Sequence, residues 1–187
     1  MTRLGVIAEG ESDVEVVAVL ARKIARTPFT LRAAIGKGCG RLQKKALDWA
    51  RQLHRQECSR LMLVCDLDEN VLADLSARLH QALEGCPIAR QVVVIPVREI
   101  EAWLLADHDA VSEAFKLRQR VKHQSNTEAI RDPKGRLGDL IAQRSNRRVQ
   151  YVSTVHNRLI AQHARVERLR RCESFKGFEA FVREHLG

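Results

Sequence analysis

The sequence predicts an α/β protein, with a mainly parallel central sheet, helices on both faces and a basic helical C-terminal extension. Three features carry that expectation. Up to residue 110, short apolar runs alternate in strict turn with longer stretches whose apolar residues recur at helical spacing. One run, Leu61-Met62-Leu63-Val64-Cys65, is apolar without interruption, as a central parallel strand covered on both faces must be. Charge then divides the chain. Residues 1–110 hold 15 Lys and Arg against 15 Asp and Glu, so the whole net charge of +9 lies in residues 111–187. The expected organisation is an α/β core over 1–110 with the basic extension of 111–187 packed on the same domain, since 187 residues suit one unit with one core.

The elements follow in order. RLGVIA (3–8) reads as the first strand, and residues 11–26 as an amphipathic helix. FTLRAAI (29–35) is a weaker strand candidate. GKGCG (36–40) lacks the GxxxxGK[ST] spacing of a phosphate-binding P-loop and reads as a tight connection into a helix over 42–56. RLMLVCDLD (60–68) contains the clearest strand, and the helix at 71–83 is closed by Gly85 and Pro87. RQVVVIPV (90–97) is the fourth strand, and EIEAWLLAD (99–107) opens the next helix. Strand and helix in turn imply right-handed crossovers. Beyond residue 110 the pattern becomes helical and polar. Residues 116–136 are basic and turn-rich, and helices are expected at 137–144, 153–171 and 174–186. The last carries Phe175, Phe178 and Phe181 on one face, with Ser174 as its N-cap.

Several classes are disfavoured. No apolar run approaches the ~18 residues of a membrane span. The amino terminus reads as a strand and not a signal peptide. The five cysteines show no CxxC or His/Cys cluster, so neither a zinc site nor a disulfide framework is expected. They read as reduced thiols of a cytoplasmic protein, with Cys65 a small buried core residue.

The acids carry the functional question. Glu9 ends the first strand, Asp66 and Asp68 end the clearest one, and Glu99 and Glu101 follow the fourth. In open parallel sheets the carboxyl ends of the strands share one edge, where ligands bind. Two carboxylates ~4 Å apart repel by about 4 kcal/mol at an effective dielectric of ~20, so four to six converging need a cation. Oxygen ligands alone point to Mg²⁺ or Mn²⁺. Each group also has a plainer explanation. Glu11 and Asp13 suit the first turn of a helix, Asp66 and Asp68 suit an Asx turn, and Glu99 and Glu101 suit exposed helix positions paired with Arg98.

AEGESD after the first strand, VCDLDEN after a later apolar strand and VREIEAWLLAD after the next resemble the motifs of the Toprim superfamily. With DPKGR and RCESFKGF added, the chain is most similar to the small OLD-type Toprim proteins of bacterial defence loci. The resemblance implies acids that hold Mg²⁺ for phosphodiester chemistry: Glu9 and Asp13 from the first motif, Asp66 and Asp68 from the second, Glu99 and Glu101 from the third. The expected activity is a metal-dependent nuclease with Glu9, Asp66 and Asp68 at the centre. Lys134 is a candidate proton donor. The family's usual setting also implies a separately encoded ATPase partner. Lys37, Arg98, Lys116, Arg118, Arg120, Lys122, Arg131, Lys134, Arg136, Arg147 and Arg148 are the expected contacts to nucleic acid, mostly to its backbone. Alternatives are a non-catalytic module that binds nucleic acid or an ATPase, and a phosphatase of the haloacid-dehalogenase type. The phosphatase would use Asp66 and Asp68 but leaves Glu9-Gly10 unexplained.

Overall fold

In a computed structural model describing residues 1–187, alternate residues of each inner strand face opposite ways and both faces are buried. β1 (Thr2–Ala8) sends Leu4, Val6 and Ala8 into one apolar cluster and Ile7 into another. β3 (Arg60–Val64) repeats the division, with Met62 and Val64 on the first side and Leu61 and Leu63 on the second. This period of two is what a strand covered on both faces requires. β2 (Phe29–Ile35) and β4 (Gln91–Val94) are the edges of a four-stranded sheet of order β2-β1-β3-β4, parallel throughout. The fold class is the α/β class that the alternation of elements predicts.

The second face is covered by α2 (Cys39–Arg55), through Leu42, Ala46, Ala50 and Leu53, and by α3 (Leu72–Ala82), through Leu75 and Leu79. The first face is covered by α1 (Glu11–Ile24) and by almost everything after β4. Here lie α4 (Glu101–Ala106), α5 (His108–Ala114), α6 (Pro133–Arg144), α7 (Ser153–His163), α8 (Val166–Leu169) and α9 (Glu173–His185). Leu137, Ile141, Ile160, Phe175, Phe178 and Val182 share one cluster with Leu4, Val6 and Met62. The residues after 110, set apart by charge, pack on the same domain and complete one face of its core. No helix is long and apolar enough to cross a membrane.

Two devices anchor the later helices. Trp103 is buried edge-on against Phe175, with ring centroids 5.2 Å apart, and its Nε1 donates to Ser174 Oγ at 2.8 Å. Asp107, fully buried, caps α5 through Ala110 N and accepts from the Arg165 guanidinium at 3.0 Å and from Arg168 at 3.1 Å. Ser174 itself lies inside α9 rather than at its N-cap. The Glu128 carboxylate does the capping, accepting from Glu173 N at 2.8 Å and Ser174 N at 3.1 Å. The expected helix at 153–171 is broken at Ala164–Arg165, where α7 gives way to α8 and the Arg165 backbone N–H turns to Asp107.

Candidate functional site

Sheet register brings the first two acidic motifs together. Ala8 pairs with Val64, so the residues that follow leave the sheet side by side. Glu9 Oε1 accepts from Asp66 N at 3.1 Å and from the Cys65 thiol at 3.0 Å. Beyond the end of β3 the chain keeps running beside the segment after β4, through Leu67 N to Pro96 O at 3.0 Å and Asp68 N to Arg98 O at 2.9 Å. Asp68 and Arg98 both take positive φ there, 48° and 62°, an uncommon conformation for residues with a side chain. Asp66 Oδ1 accepts from Ile100 N at 3.1 Å, which ties the second motif to the third.

Asp13, in the first turn of α1, accepts from Gly10 N at 2.9 Å, so it closes the helix start while facing the same pocket. Glu101 is almost fully buried, and its Oε1 accepts from Asn157 Nδ2 at 3.0 Å and from the Tyr151 hydroxyl at 3.3 Å. Glu99 caps α6, accepting from Lys134 N at 3.0 Å, and pairs with Lys134 Nζ at 3.2 Å. The same ammonium lies 3.8 Å from Glu101 Oε1. The six acids of the three motifs therefore share one site with Lys134.

The charges are poorly matched. Burial pushes the Asp66 carboxyl well above its usual range, and Asp13, Glu101, Glu9 and Asp68 push it further. Asp13 rises to about 6, mainly by burial; Glu101 and Glu9 add to the rise, and the Gly10 N–H opposes it. Glu9 and Asp68 are raised too, each first by burial and then by a neighbouring acid, Asp68 and Glu99 respectively. For Lys134, burial works against the charge, but Glu101 and Glu99 outweigh it and hold the ammonium protonated. That single cation is bonded to Glu99 and Glu101, and no lysine or arginine pairs with Glu9, Asp13, Asp66 or Asp68. Protons or a multivalent cation would relieve the repulsion in such a pocket. Its oxygen-only donors suit a hard cation such as Mg²⁺ or Mn²⁺. A softer group lies beside it: one ligand atom each of Glu9, Cys39 and Cys65 fall within 4.8 Å of one another.

The cations expected to meet nucleic acid are not gathered in one place. Arg98 and Arg131 line a cleft of ≈180 Å³ with Asp68, Glu99 and Asp132, at the mouth of the acid pocket. Arg98 pairs there with Glu69 at 3.0 Å and not with Glu99 or Glu101. Lys37 is exposed in the turn beside Glu9, whose carbonyl accepts from Lys37 N at 2.9 Å. The others stand apart from the acids. Lys116, Arg118 and Arg148 line one groove, Arg136 and Arg147 another, Arg120 pairs with Asp109 at 3.2 Å, and Lys122 is exposed. The rings of Tyr151 and His156 serve the fold: the Tyr151 hydroxyl donates to Glu101 and Asn157, and the His156 ring accepts from Val152 N at 2.9 Å.

Three features escaped sequence reading. Asn157 is buried and links Glu101 to Ser12 Oγ at 2.9 Å. Cys39 and Cys65, 26 residues apart, place their sulfurs 3.1 Å apart. The outer face of α2 carries Arg41, Lys45, Arg51 and Arg55 around a half-buried Trp49, lining a groove of ≈470 Å³. The cations of α2 were visible at helical spacing, but the zero balance of residues 1–110 hid them. Among known proteins, no curated protein and no solved structure matches the chain. A family match does span it, from the last residue of β1 into α9: the chain belongs to the family described as a domain of unknown function (DUF4276), matched over residues 8–183.

Proposed function

We propose that the chain is a Toprim-like, Mg²⁺-dependent nuclease, with Mn²⁺ as a substitute. The observation that carries this reading is the set of six carboxylates from three strand ends, with one ammonium among them. Glu9, Asp66 and Asp68 would hold the ion, with Asp13 beside them. When bound, the ion would supply Lewis acidity and reverse the sign of a site that otherwise repels a phosphodiester. Lys134, held protonated by Glu99 and Glu101, suits a charge clamp on the scissile phosphate better than a proton donor. Glu101 is the positioning residue, fixed by Asn157 and Tyr151.

The α2 face supplies the approach for substrate. This helix begins at Cys39 beside Glu9 and runs 17 residues, about 25 Å. Its cations suit the phosphates of a nucleic acid strand, and Trp49 offers a face on which a base stacks. Assignment to bacterial anti-phage defence, with a separately encoded ATPase, rests on the sequence resemblance alone.

The test is plasmid nicking and RNA degradation by the purified chain with Mg²⁺ or Mn²⁺. Cutting that stops with EDTA and is lost in Asp66→Asn, with the circular dichroism spectrum unchanged, is the expected result. Nucleic-acid binding of equal strength in wild type and Asp66→Asn, without cutting under any metal, would favour the non-catalytic module.

A further inference from the structure

We propose that Cys39 and Cys65 are a reversible modification site, closing to a disulfide when the protein meets hydrogen peroxide. The two sulfurs lie 3.1 Å apart, and only Cys65 is fully enclosed; Cys39, opening α2, is half-buried and reachable from solvent. An S–S bond needs about 2.0 Å, so closure asks for a movement on the order of 1 Å. The other cysteines have different neighbours: Cys172 lies against Thr127, Cys86 donates to the Ile88 carbonyl, and Cys58 is buried in the cluster under α2 and α3.

The chemistry balances with peroxide as oxidant. The Cys39 sulfur attacks one peroxide oxygen, the O–O bond breaks, and the departing hydroxide leaves as water with the thiol proton. The resulting sulfenic acid is then attacked by the Cys65 sulfur, which forms the S–S bond and expels a second water carrying the Cys65 proton. Two thiols are oxidised and one peroxide is reduced. Intracellular disulfides of this kind are commonly transient and regulatory.

The location gives the bond a consequence, which rests on the metal-site reading above. In the reduced protein the Cys65 S–H donates to Glu9 Oε1 at 3.0 Å. A disulfide has no such hydrogen, and its sulfur moves toward Cys39. Glu9 then loses a donor that fixes its carboxylate at the pocket. Supporting partners of metal ligands are worth roughly 10–100-fold in affinity, so oxidation should weaken Mn²⁺ binding by about tenfold. A thiolate metal site fits less well. The group offers three ligands where a closed zinc site takes about four, and Glu9 already accepts from Asp66 N.

The experiment treats the folded chain with peroxide, maps its cysteines by peptide mass spectrometry and titrates Mn²⁺ before and after. The expected result is a loss of two hydrogens per chain, a cross-link between Cys39 and Cys65, weaker Mn²⁺ binding, and full reversal by dithiothreitol. Cys39→Ser should keep the reduced protein's Mn²⁺ affinity and lose the response; if it does not fold, Cys65→Ala, which lacks the donor to Glu9, should bind Mn²⁺ about tenfold more weakly from the start and show no further change with peroxide. Oxidation of Cys39 to sulfinic acid without a cross-link, or a bond to Cys86, overturns the assignment. So does a sulfur-to-cobalt charge-transfer band on adding Co²⁺ to the reduced chain, which would make the pair a metal site. A Cys39–Cys65 bond in a chain that binds no Mn²⁺ in either state would uphold the modification site and sink the metal reading instead.

Discussion

Asp66 shows at the scale of one residue how function and stability oppose each other. Its carboxylate is burdened by burial and by four neighbouring acids, while Oδ1 accepts from the Ile100 backbone. An asparagine keeps that acceptor and removes the charge. Asp66→Asn should therefore raise the metal-free stability at neutral pH by about 1–2 kcal/mol, measured by urea denaturation, and abolish Mn²⁺ binding. A loss of stability would mean that the charge is already compensated. Gly10 gives the opposite lesson. Its place beside the acids invites the idea that no Cβ is tolerated, yet its φ is an ordinary −132° and a Cβ would lie 3.4 Å from Asp13 Oδ2. Gly10→Ala should fold with a change below about 1 kcal/mol, since no left-handed conformation is lost. The acids were legible because strand ends in a parallel sheet share an edge. Lys134 and Asn157 were not legible as their partners, because pairings across 35 and 56 residues leave no local pattern.

At the scale of elements, strands and helices were legible where their periodicity was unbroken. β2 matches its apolar run, and α2 begins three residues before its first buried residue, Leu42, because Gly38 is its N-cap. β3 and β4 end earlier than their apolar runs, at Val64 and Val94, although the two chains stay hydrogen-bonded as far as Asp68 and Arg98 in the loops that carry the acids. The cap of α9 is a tertiary one, and no sequence spacing foretells it. Removing it in Glu128→Ala should cost about 1–2 kcal/mol in thermal or urea unfolding, the value of a lost helix cap with a charged acceptor. The cationic face of α2 makes a separate prediction. Trp103 is fully buried and Trp49 is not, so quenching of tryptophan emission by single-stranded oligonucleotide reports on Trp49 alone. Changing Arg41, Lys45, Arg51 and Arg55 together to glutamine should remove that quenching. It should also flatten the salt dependence of binding, by roughly one unit of slope for each phosphate no longer neutralised. Binding left intact would move the interface to the grooves around Arg118 and Arg147.

For the molecule as a whole, the acid pocket links folding to pH and to metal. Asp13 has its ordinary value of 3.8 in the unfolded chain and about 6 when folded, and Asp66, Glu9 and Asp68 shift the same way. A raised acid binds more protons in the folded state, so its contribution is fully present below the unfolded value and is lost as pH rises through the folded one. Asp107, Asp109 and Glu179 are shifted down, Asp107 and Asp109 against a burial that works the other way and Glu179 chiefly by its bond to Arg170. Their contribution is lost only at more acid pH, where they set the acid limit. Between about pH 4.5 and pH 7.5 the metal-free melting temperature should therefore fall. Mg²⁺ should reverse that fall near neutrality, by about 2.7 kcal/mol at a hundredfold excess over Kd, and have little effect at the acid end, where protons hold the same oxygens. Asp66→Asn should flatten both responses. Scanning fluorimetry across pH, with and without Mg²⁺, decides it: a metal-free profile flat from acid to neutral, or melting indifferent to Mg²⁺ at neutral pH, would show that the six carboxylates are reconciled without a divalent ion.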